Sequence, residues 1–181
     1  MTDDVALSKF LAYVLRHDPA AAGVELGPGG WVAVDDLLAG LARAGRAVDR
    51  ARLEAVVAGS DKRRYELDGD SIRAAQGHSQ PVDLQLEPAT PPDVLFHGTV
   101  ERFLESITAE GLRPGRRTHV HLSADVATAR VVGARRGRPV VLRVDAAGMH
   151  AAGSVFHRAS NGVWLTARVP PEWISVDTRG A

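Results

Sequence analysis

A break in the middle of the chain limits the fold more than any other feature. Residues 77–93 read "GHSQPVDLQLEPATPPD", with four prolines and neither a helical nor a strand period. Proline removes backbone donors and fixes φ, so such a stretch belongs in no regular element. It is expected to connect two lobes, residues 1–76 and 93–181, with 77–92 as the linker. Lobes of that length are near the lower end of independent domain size.

The two sides are patterned differently. Residues 1–75 hold 10 Lys+Arg against 12 Asp+Glu. Residues 92–181 hold 12 against 8, and all twelve cations are arginine. Arginine is the side chain for planar, bidentate contact with phosphate. Arg113, Arg116 and Arg117 form one cluster and Arg135, Arg136 and Arg138 another; a solvated basic face accounts for them equally well. The chain has no cysteine, which excludes a disulfide framework, a zinc ribbon and a thiol nucleophile, and fits a reducing compartment. Acids precede the first apolar run, the reverse of a secretion signal, and no apolar stretch nears the roughly 20 residues of a membrane span. A cytoplasmic protein without membrane attachment is expected.

In the first lobe, Leu7, Phe10, Leu11, Val14 and Leu15 recur at helical spacing. That helix ends on Arg16-His17, with Pro19 as its stop. Two readings of the pair stay open: cations offsetting the negative end of the helix dipole, or adjacent donors for a phosphate. "GPGGWVAV" is a turn into an extended piece at Trp31–Val34, and it lacks the Lys-Ser/Thr of a phosphate loop. Asp35 or Asp36 can cap a helix through Leu37, Leu38 and Leu41. Asp49 can cap a third through Leu53, Val56 and Val57. "RYELDGDSIRAAQ" is a hairpin turning at Asp68-Gly69. Helices followed by a β wing predict a winged-helix module. Its third helix is nearly neutral and poor in base-reading side chains, which argues against groove recognition.

The second lobe is expected to be mixed strands with two small helices. "DVLFHGT" is an apolar strand ending in His97-Gly98-Thr99, and Thr99 can cap a helix carrying Phe103, Leu104 and Ile107. "THVHLS" alternates, with His119 and His121 on one face, and Ser123 can cap the helix "ADVATARVVGARRG". "PVVLRVD" is a buried strand, and residues 154–176 supply at least two more around an Asn161-Gly162 turn. His119-x-His121 has metal-ligand spacing but no third ligand in either flank, so no metal is expected. No G-x-S-x-G motif supports a serine hydrolase.

Seven motifs stand in order along nearly the whole chain: Arg16-His17-x-Pro19, "KRRYEL" at 62–67, "IRAAQGHS" at 72–79, "LFHGT" at 95–99, "HVHLS" at 119–123, "VGARRG" at 132–137 and "NGVWLT" at 161–166. Together they resemble the RNA 2′-phosphotransferase family, the NAD-using enzymes of tRNA splicing. The resemblance implies an α+β protein, a winged-helix lobe joined to an ADP-ribosyltransferase-like lobe with a mixed sheet. It implies NAD as co-substrate, no metal, and RNA carrying an internal 2′-phosphate, tRNA-like or other, as substrate of a monomer. The RNA 2′-phosphate attacks the anomeric carbon of the nicotinamide ribose and nicotinamide leaves. The ribose 2″-hydroxyl then attacks that phosphate. The products are 2′-hydroxyl RNA and ADP-ribose 1″,2″-cyclic phosphate.

The family's catalytic set falls on Arg16, His17, Arg64 and Arg135, Gly133-x-Arg135 selecting Arg135 over Arg136. NAD-binding positions fall on His97, Gly98, Thr99, His119, His121, Ser123, Asn161 and Gly162. Val163 stands where ADP-ribosyltransferases usually place a glutamate, and Ala159 where family members often have serine. Two other functions share parts of this pattern. One is a one-step ADP-ribosyltransferase acting on nucleic-acid phosphate ends or protein; the other is a winged-helix nucleic-acid-binding regulator.

Overall fold

The computed structural model describes residues 3–60 and 62–177; residues 1, 2, 61 and 178–181, which the lobe boundaries and charge totals above include, lie outside the described residues. The chain is α+β and divides into two compact units, Met1–Leu86 and Glu87–Ala181. No helix among the described residues is long and apolar enough to cross a membrane.

In the first unit, helix α1 (Asp4–Arg16) opens on Asp3, whose side chain accepts from the Val5 amide at 3.0 Å. It buries Leu7, Leu11, Val14 and Leu15 completely, the stripe its spacing predicts. The helix stops at Arg16, and Pro19 opens a 3₁₀ turn, Pro19–Ala22. Strand β1 (Val32–Ala33) is shorter than the expected extended piece because helix α2 (Val34–Arg43) already begins at Val34. The expected cap of α2 is corrected: Ala33 is the N-cap, and Asp35 and Asp36 sit in the first turn, where their charge suits the positive end of the dipole. Helix α3 (Arg50–Ala58) is capped by Asp49, as expected.

Strands β2 (Tyr65–Asp68) and β3 (Ser71–Ala74) form the hairpin, in register Asp68↔Ser71, so its two-residue loop is Gly69-Asp70. Strand β1 pairs on the other edge of β3. One core joins the helices to this sheet through Leu7, Leu11, Leu15, Leu37, Leu41, Leu53 and Ile72, all wholly buried. Each such side chain contributes about 2 kcal/mol of transfer free energy. Glu66 and Arg73 pair across the hairpin at 2.8 Å, with the guanidinium 4.5 Å above the Trp31 ring.

The second unit has two three-stranded sheets. One orders β4 (Val94–Val100), β6 (Pro139–Asp145) and β9 (Ile174–Val176); the other orders β5 (Val120–Leu122), β8 (Trp164–Thr166) and β7 (Phe156–Arg158). Every strand pairing is antiparallel among the described residues, which corrects the expectation of a mixed sheet. A backbone bridge between Phe96 and Ser123 (2.8 and 2.9 Å) joins the sheets. Among the described residues of this unit, three α-helices are present rather than two: α4 (Leu104–Glu110), α5 (Val126–Gly133) and α6 (Ala146–Ala151).

Two expected caps are also corrected. Thr99 caps nothing, because β4 continues through Val100 and a 3₁₀ turn, Glu101–Phe103, precedes α4. Asp125 rather than Ser123 caps α5, accepting from the Thr128 amide at 2.7 Å. The core gathers Leu95, Leu122, Leu142, Val144, Met149 and Phe156.

Helix α5 lies directly on β4. A Cβ at Gly98 would stand 1.8 Å from the Ala129 carbonyl oxygen and 2.7 Å from the Gly133 amide, so only glycine permits this approach.

Candidate functional site

Within the first unit, three of the predicted residues come together. Arg16 is the last residue of α1 and His17 its C-cap. The Arg16 guanidinium donates to the Arg64 carbonyl at 3.2 Å, and the Ala75 amide donates to the same oxygen. Arg63 immediately before has φ of 41°, a left-handed conformation unusual outside glycine, which turns the chain into β2 at Arg64. The Arg64 guanidinium donates to Ser60 Oγ at 3.3 Å, holding it beside the end of α3. Arg16 and His17 at the end of α1 thus meet Arg64, 48 residues on from Arg16, through its backbone carbonyl.

Residues 77–80 pack against that region. The Ser79 amide donates to the Arg16 carbonyl at 2.9 Å, Ser79 Oγ lies 2.9 Å from His17 Nδ1, and Gln80 Nε2 donates to the His17 carbonyl at 2.6 Å. His78 between them is wholly buried, with no partner of good hydrogen-bond geometry at either ring nitrogen. Burial pushes its pKa down to about 4, helped by the charges of Arg16, His17 and Arg73 and opposed by the nearby Leu15 carbonyl. Sequence reasoning singled out "IRAAQGHS" at 72–79 as a motif but not its contact with the end of α1, since the partners lie some 60 residues apart (Ser79 to His17 spans 62).

Within the second unit, His97 in β4 donates from Nδ1 to the His121 carbonyl at 3.0 Å. Its pKa is lowered by burial foremost; the His121 carbonyl opposes, and Arg136 and Arg117 add to the lowering. His97 is therefore neutral with its proton on Nδ1, which makes Nε2 an acceptor. His121 also pairs with Leu165 in the sheet, and Ser123 forms the bridge to Phe96. The register Leu122↔Trp164 carries the Asn161-Gly162 turn to the Ser123 end of β5. Asn161 Oδ1 accepts from the Val163 amide at 3.3 Å, and Gly162 has φ of 83°. Thr99 is buried in β4, opposite Val140. His119 has its Nδ1 3.0 Å from Thr118 Oγ1, and its ring meets His157 edge-on at 6.2 Å.

The Gly98–Gly133 contact fixes where α5 ends, and the arginines follow at once in the 3₁₀ turn Ala134–Arg136. Arg117 is exposed as a residue, but neighbouring atoms crowd its guanidinium. That crowding lowers its pKa, and Arg136 and Arg135 lower it further. Among the described residues, no carboxylate pairs with Arg117, Arg135 or Arg136. Neighbouring cations without a paired carboxylate, beside a histidine whose Nε2 can accept, have the chemistry to attract an anion. A cavity of about 420 Å³ elsewhere in this unit is lined by Asp93, Asp145 and Glu172 against Arg143, the wrong charge for such a ligand. No group of three or more His, Asp or Glu among the described residues is arranged to hold a metal.

The whole sequence was compared with known proteins. A model of the RNA 2′-phosphotransferase, Tpt1 / KptA family matches residues 2–168. A "Probable RNA 2′-phosphotransferase" of Pseudomonas aeruginosa (strain UCBPP-PA14) is 58% identical over 170 residues, covering 92% of this chain and 93% of that protein. Proteins of the same name from Streptomyces coelicolor and Nostoc punctiforme are 56% and 54% identical, each pairing covering at least 93% of both chains. A match of that length and identity, running through both units and all seven motifs, leaves one conclusion: the chain belongs to the RNA 2′-phosphotransferase family.

Proposed function

We propose that this protein removes an internal 2′-phosphate from RNA by transferring it to NAD, with a winged-helix lobe that grips the phosphate and an ADP-ribosyltransferase-like lobe that takes NAD. The gathering of Arg16, His17 and Arg64 at the end of α1, in a chain of this family, carries the proposal. Both steps build negative charge on a phosphate, and fixed cationic donors stabilise that charge better than a strong base would. Arg16, His17 and Arg64 hold the RNA 2′-phosphate. Arg135 is assigned to the charge that grows on phosphorus in the second step.

The residues of the second unit suit a dinucleotide. Arg117 and Arg136 offer donors to a pyrophosphate, and Nε2 of neutral His97 offers an acceptor to a ribose hydroxyl. NAD supplies the ADP-ribosyl acceptor for the phosphate. Val163 leaves the turn after Asn161 without a carboxylate, so no side chain there competes for the ribose 2″-hydroxyl that must act as the second nucleophile. Contacts addressed to phosphate carry little base information, so broad RNA sequence tolerance follows.

The test is direct: incubate the protein with NAD and a short RNA bearing one internal 2′-phosphate, then measure nicotinamide and the RNA product. Nicotinamide with 2′-hydroxyl RNA is expected. Absence of nicotinamide overturns the proposal, and ADP-ribosylated RNA as the end product means a one-step enzyme.

A further inference from the structure

We infer that Ser79 is a positioning residue for His17, holding its ring so that Nε2 carries a proton toward the phosphate; the inference rests on the proposed function for what His17 does. The last carbonyls of a helix have no partner inside it. In α1 the Arg16 carbonyl accepts from the Ser79 amide at 2.9 Å and the His17 carbonyl from Gln80 Nε2 at 2.6 Å. The same segment sets Ser79 Oγ 2.9 Å from His17 Nδ1. It is anchored just before Ser79, where Gly77 turns at φ of 94° against the Arg16 side chain and His78 is wholly buried. Three bonds on two consecutive residues define the ring's place more tightly than one bond between exposed side chains could.

The chemistry of the partner suits a proton on Nε2. A hydroxyl both donates and accepts. In the neutral tautomer with its proton on Nε2, Ser79 Oγ–H donates to Nδ1. When His17 is cationic, Oγ accepts from Nδ1–H and Nε2 is still protonated. In both states Nε2–H is a donor, which a phosphate oxygen requires. A carboxylate at residue 79 would instead hold Nδ1–H and leave neutral Nε2 a bare acceptor, the arrangement of a general base. The serine thus suits His17 as a phosphate donor, where a carboxylate would suit a base.

The experiment uses the full chain with ¹⁵N-labelled histidine in mildly alkaline solution, the His17 signals assigned by their loss in His17→Asn. Wild type and Ser79→Thr are expected to show the Nε2–H tautomer, Ser79→Ala a mixture, and Ser79→Asp the Nδ1–H tautomer. Turnover of 2′-phosphorylated RNA should fall about five- to tenfold in Ser79→Ala, the range of one lost hydrogen bond, with KM for NAD unchanged and with Ser79→Thr within about twofold of wild type. An Nδ1–H tautomer in wild type overturns the inference. So does a Ser79→Ala protein with unaltered tautomer and turnover. If wild type shows Nε2–H but releases no nicotinamide, the proposed reaction fails while the positioning of His17 by Ser79 stands.

Discussion

Gly98 of β4 and Gly133 of α5 meet backbone to backbone: a Cβ on the first would stand 2.7 Å from the amide nitrogen of the second. Each lies in a motif that reads as ligand-binding, and each has a packing reason to be glycine. The contact serves both ends, because His97 precedes Gly98 and Arg135 follows Gly133 by two residues. Gly98→Ala puts a methyl group 1.8 Å from the Ala129 carbonyl, where only a backbone shift can make room. Such overpacking costs about 1–3 kcal/mol, so the urea midpoint should fall. Gly133→Ala meets the Thr99 carbonyl at 2.8 Å and should behave similarly. NAD-dependent turnover should drop with each, since the arginines move with α5.

Buried His78 makes the protein acid-sensitive. Its folded pKa, about 4, lies below the ordinary 6.5, so the folded state binds fewer protons than the unfolded state between those values. Stability from this group is therefore complete above pH 6.5 and is lost as pH falls through about 4. The loss is on the order of 3 kcal/mol. His97 and His119, also lowered, act in the same direction. Urea titrations across this range should show stability declining with acid, and His78→Gln should flatten much of the decline. An unchanged slope in that variant would refute the assignment.

Arg135 and Arg136 are neighbours with different assigned roles. Arg64→Ala and Arg135→Ala should each lower turnover by about 10²–10³, the loss typical of one fixed donor to developing charge. Arg136→Ala should cost about tenfold or less and act on KM for NAD. Steady-state kinetics on 2′-phosphorylated RNA separates the two; equal losses in kcat would reject the choice of Arg135. Arg117→Ala should raise KM for NAD by about tenfold, as expected for one charged hydrogen bond.

Local signals made much of the fold legible. The apolar stripe of α1, the Asp49 cap of α3 and the β2–β3 hairpin were readable because each rests on residues a few positions apart. What local signals missed was decided at a distance. Ser123 and Asp125 are equally good caps in the sequence; the bridge from Ser123 to Phe96 leaves the cap to Asp125. Helix α6 has six residues, too few to show a period. Of the arginines at 113, 116 and 117, nothing local says that Arg117 stands near Arg135 and Arg136. The end of α1 shows both sides at once: Arg16-His17 and the motif at 72–79 were visible, and the contact between them was not.

Val163 gives the sharpest test of the two-step reaction. It follows the Asn161-Gly162 turn, its amide donating to Asn161 Oδ1 and its carbonyl accepting from the Ala159 amide at 2.9 Å. Backbone holds the residue, and its half-buried side chain is open to replacement. A carboxylate at 163 would accept a hydrogen bond from the ribose 2″-hydroxyl and hold it away from phosphorus. Val163→Glu should therefore release nicotinamide on the first turnover yet accumulate ADP-ribosylated RNA, with the second step slowed about tenfold or more, the scale of a charged hydrogen bond. Val163→Gln, which can both donate and accept, should slow it less. Single-turnover assays with labelled RNA resolve intermediate from product. Full conversion to 2′-hydroxyl RNA by Val163→Glu at the wild-type rate would show that the missing carboxylate has no part in sending the reaction past its first step.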